Sequence, residues 1–434
     1  MGTMSAIGTM SARPRILFLC HCLPYPPHSG VTSRTFNVLK QLQQEFDVVL
    51  LPFFRRNHQP DAEARQEARR ALQALVTRVG APVPILAEHA IARRLWDHLR
   101  SVVTRRPYTY YEHSSRAYRR QLRSALAEAP PALIHLDNID LHGWLPELPP
   151  VPLACTYHNI ESDLLRRRAA RTRSRFLRRY ILHQAALIEQ VERHAAVRFR
   201  LNLMMSELDA ERLRRLAPQA RTIVLPNGVD TTFFVPEASR PAVPGRVVFL
   251  GPTYVFPNRD GMDYLLDDIW PHIRSAYPSA TLRLIGQTAA ADRLRYEQVP
   301  GIVCLGFVPD IRPHMTEACC CVVPLRVGGG TRLKILDAWA MGKAVVSTSL
   351  GCEGLNAVDG ENILVRDDPK AFARAVADVL ADPGLRRNLE VNARKTAEQR
   401  YGWDRIGERL RTAYRQLMAF GPRESVPKPR GDRD

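Results

Sequence analysis

The residues with the clearest chemistry stand where an apolar strand-like run gives way to a helical pattern, near residue 330. They are three consecutive glycines followed by a hydroxyl and two cations: Gly328, Gly329, Gly330, Thr331, Arg332 and Lys334. Glycine lets the backbone approach an anion closely, and the free N–H groups of a helix start can receive phosphate oxygens. Cations in a first helical turn oppose the helix dipole unless an anion pairs with them. The pattern therefore favours a bound diphosphate, with an ordinary flexible turn as the alternative.

A carboxylate follows one helical turn later. Asp337 shares a helix face with Lys334, near the anion site but further from the glycines. Such a carboxylate could accept hydrogen bonds from two sugar hydroxyls. The alternative is a helix-surface aspartate that is paired with Lys334 or Arg332.

Alternating strand and helix patterns supply the frame that must position these residues. A first series of apolar strand runs is predicted at residues 15–22, 47–54, 132–137, 152–159, 201–206 and 221–228. A second series is predicted at residues 246–251, 281–286, 301–307, 319–325 and 344–349. Such alternation implies parallel sheets with helices on both faces, and the proline-containing stretch 229–245 is typical of a linker. We therefore predict an α/β fold of two doubly wound, Rossmann-like units facing across a ligand-binding cleft.

Length and composition agree with a two-domain intracellular enzyme. A chain of 434 residues with 45% apolar residues can bury two cores. No run of about 18 uncharged apolar residues occurs, and residues 1–15 lack the apolar centre of a secretory signal, so we expect a cytoplasmic protein. The eight cysteines lie mostly in apolar runs, as reduced thiols do. Cys20, His21 and Cys22 lack a second ligand pair of matching spacing, so no metal site is predicted.

The formal charge of +18 is unevenly distributed, because residues 1–240 contain 35 Lys and Arg against 21 Asp and Glu. The most basic stretch, residues 164–200, spaces arginines among apolar residues as a two-faced helix would. One interpretation is a solvated helix face, and another is a surface attracted to acidic lipid headgroups. Nucleic-acid binding is a third interpretation that charge alone supports, and we do not predict it.

Taken together, these segments resemble glycosyltransferase family 4, whose members have the GT-B fold. Residues 305–348 are similar over their whole length to the donor-binding half of that family. Four shorter segments agree in order and spacing: PYPPHSGVTSR (24–34), TYHNIES (156–162), MMSELD (204–209) and VLPNGVDTTFF (224–234). The resemblance covers residues 14–415.

The resemblance implies roles for the donor-side residues. The family has two glutamates with seven residues between them, of which the second binds the ribose and the first lies near the transferred sugar. Asp337 stands at the second position and Gly329 at the first, so main-chain N–H groups of the glycine loop would have to contact the sugar. Near the family's diphosphate-binding basic pair, this sequence offers Asn258 and Arg259. Arg259 is therefore expected to share the diphosphate with Arg332 and Lys334.

Further roles follow from the same resemblance. His158 stands where the family has a histidine that faces the donor sugar and the acceptor, against the alternative of a strand-end histidine satisfied by a neighbouring loop. Gly30 would let the backbone approach the donor phosphate, or is a plain turn residue. Phe307 would line the nucleobase pocket, or is a core aromatic. His135, at the end of an adjacent strand, is interpreted as structural.

The resemblance also implies the activity. We expect a retaining, hexosyltransferase-type enzyme that moves a sugar from a nucleoside-diphosphate sugar to a glycan or lipid-linked acceptor, in cell-envelope or exopolysaccharide synthesis, without any cofactor. Charge on the departing phosphate must be neutralised, and no Asp-x-Asp cluster stands at a strand end, so we predict that His158, Arg332 and Lys334 act without a metal. Peripheral contact with the inner face of an anionic plasma membrane would bring the acceptor within reach. A nucleotide-sugar 2-epimerase of the same fold and an inactive nucleotide-sugar-binding protein remain alternatives.

The predicted domains follow from these patterns. Residues 1–235 form an acceptor-side domain, and residues 236–400 form the donor-binding domain. A C-terminal helix at 401–420 crosses back to the first domain, and residues 421–434 form a disordered tail.

Overall fold

The computed structural model describes residues 13–27, 29–56, 58–88, 90–237, 240–328 and 332–419. The chain divides into two units. The N-terminal unit comprises Met1–Met204, Ala210–Ile223 and Gly407–Asp434, and the C-terminal unit comprises Met205–Asp209 and Val224–Ile406. The predicted tail at 421–434 lies outside the described residues.

Short apolar runs form the strands, and most of these runs are buried on both faces, as parallel sheets covered by helices require. In chain order the strands are β1 Arg15–Cys20, β2 Asp47–Phe54, β3 Arg78–Val79, β4 Val83–Pro84, β5 Leu133–Leu136, β6 Leu153–Tyr157, β7 Leu201–Met204, β8 Thr222–Val224, β9 Arg246–Leu250, β10 Thr281–Ile285, β11 Ile302–Gly306, β12 Cys320–Val323, β13 Ala344–Ser347 and β14 Leu364–Val365. The N-terminal sheet has the order β3-β2-β1-β5-β6-β7-β8, with β4 beside β2, and the C-terminal sheet has the order β11-β10-β9-β12-β13-β14. Paired strands run parallel in both sheets, so the predicted α/β class with two parallel-sheet units is confirmed.

Helices connect the strands and cover both sheets. They are α1 Gly30–Leu42, α2 Ala62–Gln73, α3 Ile91–Thr104, α4 Tyr108–Glu112, α5 Arg116–Glu128, α6 Glu161–Ala170, α7 Arg175–Ala196, α8 Glu207–Leu216, α9 Phe256–Tyr264, α10 Trp270–Ala276, α11 Ala290–Glu297, α12 Arg312–Thr316, α13 Leu333–Ala340, α14 Pro369–Ala381, α15 Pro383–Thr396 and α16 Trp403–Ala419. Short 3₁₀ helices span Leu86–Glu88 and Ile139–Glu147, and π-helical turns span Leu265–Ile269 and Ala397–Tyr401. None of the helices in the described part of the chain combines the length and the apolar character needed to cross a bilayer.

The basic stretch 164–200 forms two helices, where a single helix was predicted. Ser174 caps the second helix, α7, by accepting a hydrogen bond from the backbone N–H of Leu177. The chain reverses there, and α7 packs against α6 through the buried carboxylate of Glu192, which accepts from Ser162. A serine that satisfies the free N–H groups of a helix start is enough to begin a new helix at this point.

The main segment of the C-terminal unit begins at Val224, whereas the sequence placed the boundary at residue 235. The proline-containing linker is bound to this unit at its start, because the N–H of Val229 donates to the carbonyl of Tyr401 and Arg394 donates to the carbonyl of Thr231. At the other end of the unit, α16 starts in the C-terminal unit and continues into the N-terminal unit from Gly407 onward.

Candidate functional site

Lys334 and Asn258 meet in the C-terminal unit although 76 positions separate them in the sequence. The Nζ atom of Lys334 donates a hydrogen bond to Oδ1 of Asn258 over 2.8 Å. Lys334 lies in the first turn of α13 and Asn258 in the first turn of α9. The strands that precede these helices, β12 and β9, are neighbours in the sheet, so both side chains emerge at the carboxyl edge of the sheet.

A glycine makes room for the amide of Asn258. Gly251, just after β9, has a φ of +139°, and a Cβ atom there would lie 2.7 Å from Nδ2 of Asn258. The same Nδ2 atom donates to the carbonyl of Pro252 over 3.0 Å, which sets the amide so that Oδ1 faces the lysine. The position of Asn258 therefore depends on a backbone conformation that favours glycine.

The charge of Lys334 is poorly compensated. Burial lowers the pKa of Lys334 to about 7, and Arg332 acts in the same direction. The lysine Nζ lies 5.0 Å from the centre of the Phe249 ring, and among the described residues it forms no ion pair with a carboxylate. A partly buried cation that has a second cation nearby and only a neutral amide as its hydrogen-bond partner is a favourable place for an anion.

Asp337, one turn along α13, is a second uncompensated group. Burial raises the pKa of Asp337 to about 7. In the described part of the chain its carboxylate makes no hydrogen bond or ion pair, so the interpretation of Asp337 as an aspartate paired with Lys334 or Arg332 is wrong. A buried carboxylate without such a partner can accept hydrogen bonds from hydroxyl groups of a ligand.

Arg332 and Gly328 pack closely on the other side of the helix start. Gly328 has a φ of +120°, and a Cβ atom there would lie 3.2 Å from the Arg332 guanidinium. That buried guanidinium also donates to the carbonyl of Leu350 over 3.4 Å. Three other predicted residues of this loop, Gly329, Gly330 and Thr331, lie outside the described residues.

Two further residues that were predicted to bind the donor, Arg259 and Phe307, take no part in the contact between Lys334 and Asn258. The guanidinium of Arg259 pairs with the carboxylate of Asp292 on α11. Phe307 follows β11 and is 63% exposed, so the interpretation of a core aromatic is wrong. Its exposed ring remains available for stacking, and its predicted contact with a nucleobase stays a prediction.

In the N-terminal unit, the carboxylate of Asp137 is the centre of a buried polar cluster. It accepts a hydrogen bond from the Thr35 hydroxyl over 2.7 Å and from the Cys20 thiol over 3.4 Å. Ring nitrogens of three histidines lie within 3.8 Å of its oxygens: His21, His135 and His158. Strand ends supply the cluster, because Cys20 ends β1 while Asp137 and His158 directly follow β5 and β6.

The electrostatics of this cluster keep Asp137 ionised. Burial would raise the pKa of Asp137, but its contacts with the rings of His135 and His158 lower it well below its usual range. Burial lowers the pKa of both His21 and His135, which favours their neutral forms. Burial also lowers the pKa of the Arg34 guanidinium to about 10, and the charge of Asp137 opposes that shift.

His158 and His135 use their ring nitrogens differently. Nε2 of His158 donates to the backbone carbonyl of Asp137 over 2.7 Å, so in the neutral ring Nδ1 is the acceptor nitrogen. His135 contacts the Tyr414 hydroxyl through Nδ1 and the Thr156 hydroxyl through Nε2, which makes it a structural residue of the sheet. The catalytic role of His158 stays a prediction. Gly30 is the exposed first residue of α1, after the capping residue Ser29.

Two groups in this region have the ligand types of a metal site. Cys20, His21 and Cys22 form one, and His21, Asp137 and His158 form the other, each with ligand atoms within 4.8 Å of one another. In the first group, the Cys20 thiol donates a hydrogen bond to the carboxylate of Asp137 over 3.4 Å. In the second group, Nε2 of His158 and the carboxylate of Asp137 already take part in hydrogen bonds. These residues fit a protein hydrogen-bond network better than they fit a metal.

Sequence reasoning missed Asp137, His21 and Thr35 as members of this cluster. The signal that could have found Asp137 was a carboxylate immediately after a fully buried strand, since buried charges are retained only where several partners meet them. The involvement of Thr35 had no local signal, because 102 positions separate it from Asp137.

Comparisons with known proteins agree with this architecture. Residues 244–382 match the family model described as Glycosyl transferases group 1. The chain is 30% identical over 137 residues, 30% of its own length, to the lipopolysaccharide core biosynthesis mannosyltransferase LpcC of Rhizobium leguminosarum bv. viciae, and 29% identical over 217 residues, 44% of its own length, to the GDP-mannose-dependent alpha-(1-6)-phosphatidylinositol monomannoside mannosyltransferase of Mycolicibacterium smegmatis. It spans 39% and 56% of the lengths of these curated relatives.

A solved structure extends the similarity to both units. The crystal structure of Anabaena HepE in complex with UDP matches with a TM-score of 0.65 at 14% identity, over 93% of this chain and all of that one. Residues 244–382 of the C-terminal unit are therefore similar to the glycosyl transferases group 1 model, and the chain as a whole has the GT-B fold.

Proposed function

We propose that this protein is a retaining glycosyltransferase that moves a sugar from a nucleoside-diphosphate sugar to a glycan or lipid-linked acceptor in cell-envelope polysaccharide synthesis. The observation that carries the proposal is the pair of uncompensated groups on α13, Lys334 and Asp337. One is a cation with only a neutral partner, and the other is a carboxylate without a partner among the described residues. A ligand with an anionic diphosphate and neutral sugar hydroxyls satisfies both.

The similar proteins support this ligand class. The segment that carries both groups lies within the matched family region, residues 244–382. One relative is named as GDP-mannose-dependent, and one similar structure contains UDP. A nucleoside diphosphate is therefore the proposed carrier of the sugar.

Transfer requires that charge on the departing diphosphate be neutralised. The bond between the anomeric carbon and the phosphate oxygen breaks, and a new bond forms from the acceptor oxygen to the same face of that carbon. The proton of the acceptor hydroxyl passes to the departing phosphate oxygen. Lys334 and Arg332 would stabilise that phosphate, and His158 would orient the reacting groups from the N-terminal unit.

The positive charge of residues 1–240 favours contact with a membrane surface. Residues 1–240 hold most of the excess positive charge of the chain, which attracts acidic lipid headgroups. An acceptor anchored in lipid would then be concentrated near the enzyme. The enzyme would make peripheral contact with the inner face of the plasma membrane.

Thermal unfolding with a panel of UDP- and GDP-sugars tests the donor site. We expect stabilisation of the wild-type protein, because a ligand at about 100 times its Kd contributes about 2.7 kcal/mol. Lys334→Ala and Arg332→Ala should abolish that stabilisation. Arg295→Ala is the matched control, because this exposed arginine of the same unit forms ion pairs with Asp263 and Asp267. The variant should show the same donor-dependent stabilisation as the wild type.

Equal stabilisation in all four proteins would remove the assignment of the donor site. Incubation of the stabilising donor with lipid-linked acceptors then tests transfer, and the anomeric configuration of the product tests retention. Conversion of the donor to an epimer without an acceptor would instead indicate a 2-epimerase. Tight donor binding without any turnover would indicate an inactive binding protein.

A further inference from the structure

Helix α3 presents its apolar face to solvent and its polar face to the protein. Its exposed side chains are Ile91, Leu95, Trp96, Leu99, Val102 and Val103, of which Ile91 is 80% exposed. They recur at spacings of three and four and therefore form one stripe. The buried residues of α3 are Asp97 and Ser101. A surface helix of a globular protein normally has the opposite arrangement.

Specific hydrogen bonds fix this orientation. The Ser101 hydroxyl donates to the carbonyl of Arg106 over 2.6 Å and accepts from Nε2 of Gln184 on α7 over 2.8 Å. Nδ1 of His98 lies 2.6 Å from the hydroxyl of Tyr180, one turn earlier on α7. The buried Asp97 accepts from Arg93. Because rotation of α3 would break the contacts of His98 and Ser101 with α7, these two contacts hold the apolar stripe outward.

The start of α7 extends the exposed apolar surface. Phe176 lies one turn before Tyr180, on the side of α7 that meets α3, and it is 91% exposed. Leu177 beside it is also exposed. Exposed apolar side chains grouped on two neighbouring helices mark a place that contacts another apolar phase.

Arginines surround this surface. Arg94 on α3 is exposed, and three exposed arginines lie at the start of α7: Arg175, Arg178 and Arg179. The first turn of α7 contains no acidic residue. Cations at a helix start are unfavourable unless an anion is near them, so the charges favour an anionic partner.

We propose that the apolar stripe of α3, together with Phe176 and Leu177, inserts into the interfacial region of a bilayer that contains anionic lipids, with the surrounding arginines on the headgroups. Apolar side chains flanked by cations match the apolar and anionic layers of such a membrane. A second copy of this chain fits less well, because a symmetric contact would bring the same arginines together. The inference gives the membrane contact of the proposed function a defined surface, and it rests on that function only for its biological purpose.

Trp96 provides an intrinsic probe for the test. It is 56% exposed, whereas the other tryptophans, Trp144, Trp270, Trp339 and Trp403, are all buried. Full-length protein is mixed with phosphatidylcholine vesicles with and without phosphatidylglycerol, and binding is measured by sedimentation. We expect binding only to the anionic vesicles, weakened by salt, with a blue shift of the fluorescence and quenching by lipids brominated in the acyl chain.

Variants locate the surface. Leu95→Glu with Leu99→Glu should reduce vesicle binding by about tenfold or more, because each side chain loses its burial in the bilayer. The matched control is Leu294→Glu, which makes the same change at an exposed leucine of the C-terminal unit. This variant should bind vesicles as the wild type does. Trp96→Phe should keep vesicle binding while the fluorescence response is lost.

Failure of the wild type to bind anionic vesicles, or unchanged binding by the Leu95 and Leu99 variant, would overturn the inference. A dimer in solution that this variant dissociates, without vesicle binding by the wild type, would also overturn it in favour of self-association. Donor-dependent thermal stabilisation is measured on the same preparations. If the wild type fails to bind vesicles but is stabilised by the donor, only the membrane surface is contradicted. If it binds vesicles but is not stabilised by the donor, only the donor site is contradicted.

Discussion

The ammonium group of Lys334 donates its hydrogen bond to the neutral side-chain amide of Asn258, 2.8 Å away. An amide oxygen stabilises a buried ammonium group less than a carboxylate would, and the pKa of Lys334 falls to about 7 because burial dominates. The protein thus holds a cation that is only half charged near neutral pH. An arriving diphosphate would supply the missing negative charge.

This geometry predicts that donor affinity depends on pH. Because the pKa of Lys334 is about 7 in the free protein, the lysine loses its proton as the pH rises above that value. A bound diphosphate raises the pKa again, so binding above about pH 7 takes up a proton and affinity falls with increasing pH. Isothermal titration calorimetry of a nucleotide sugar in buffers with different ionisation enthalpies measures both effects.

Lys334→Arg is the control for this measurement, since arginine stays charged over the whole range and should remove the dependence. Asp337 titrates in the same range, so the series is repeated in Asp337→Asn. Affinity of the wild type that does not change between about pH 6 and 9 would contradict the role given to Lys334.

Asp337→Asn should stabilise the free protein while it weakens donor binding. The folded protein holds the carboxyl proton up to a pKa of about 7, whereas the unfolded chain loses it near 3.8, so stability falls as the pH rises between these values. The variant avoids that loss and should be more stable at about pH 8 by on the order of 2 kcal/mol. Urea unfolding at about pH 4 and pH 8 checks this, because the difference should vanish at the lower pH. An unchanged stability at the higher pH would show that the carboxylate is well solvated.

The predicted strands were nearly correct because parallel strands are short, continuous apolar runs. For example, the strand predicted at 246–251 is Arg246–Leu250 in the structure, and the strand predicted at 281–286 is Thr281–Ile285. The two-residue strand Leu364–Val365 was missed, because two residues cannot show a period. The direction in which α3 faces also could not be predicted, since an amphipathic pattern normally places its apolar side inward.

The site was predictable only where its residues are close in sequence. Gly328, Arg332 and Lys334 lie at one loop and helix start, and their types indicated an anion, while Asp337 one turn later indicated sugar hydroxyls. Their electrostatics were not accessible in this way. That Lys334 has a neutral partner depends on the adjacency of β9 and β12, which brings Asn258 alongside, and no local pattern encodes it.

Asp137→Asn should destabilise the N-terminal unit. The carboxylate is held ionised by its histidine neighbours, and its charge also supports the buried guanidinium of Arg34. Because the folded pKa lies well below the unfolded value, the contribution is present above about pH 4 and is lost as the pH falls further. We expect a loss of about 2–4 kcal/mol at neutral pH, measured by urea unfolding. The effect should shrink on acidification, and a constant difference at all pH values would point to packing instead of charge.

His158→Ala should slow sugar transfer and leave donor binding intact. The lysine, arginine and aspartate proposed to hold the donor belong to the C-terminal unit, whereas His158 belongs to the N-terminal unit. We expect kcat to fall by about a hundredfold or more, while donor-dependent thermal stabilisation stays at the wild-type level. His142→Ala is a matched control, since this half-buried histidine of the same unit is not part of the Asp137 cluster. Equal losses in both variants would indicate general damage to the unit.

Removal of divalent metals should leave transfer unaffected. The proposed mechanism neutralises the diphosphate with Lys334 and Arg332, so dialysis against EDTA should not change the rate, and added Mg²⁺ or Mn²⁺ should not raise it. The residues that most resemble a metal site, His21, Asp137 and His158, provide the sharpest check. Elemental analysis of the wild type and of His21→Ala should find no stoichiometric metal in either protein. A metal that is present in the wild type, lost in His21→Ala and required for transfer would replace the metal-independent mechanism with one centred on the N-terminal unit.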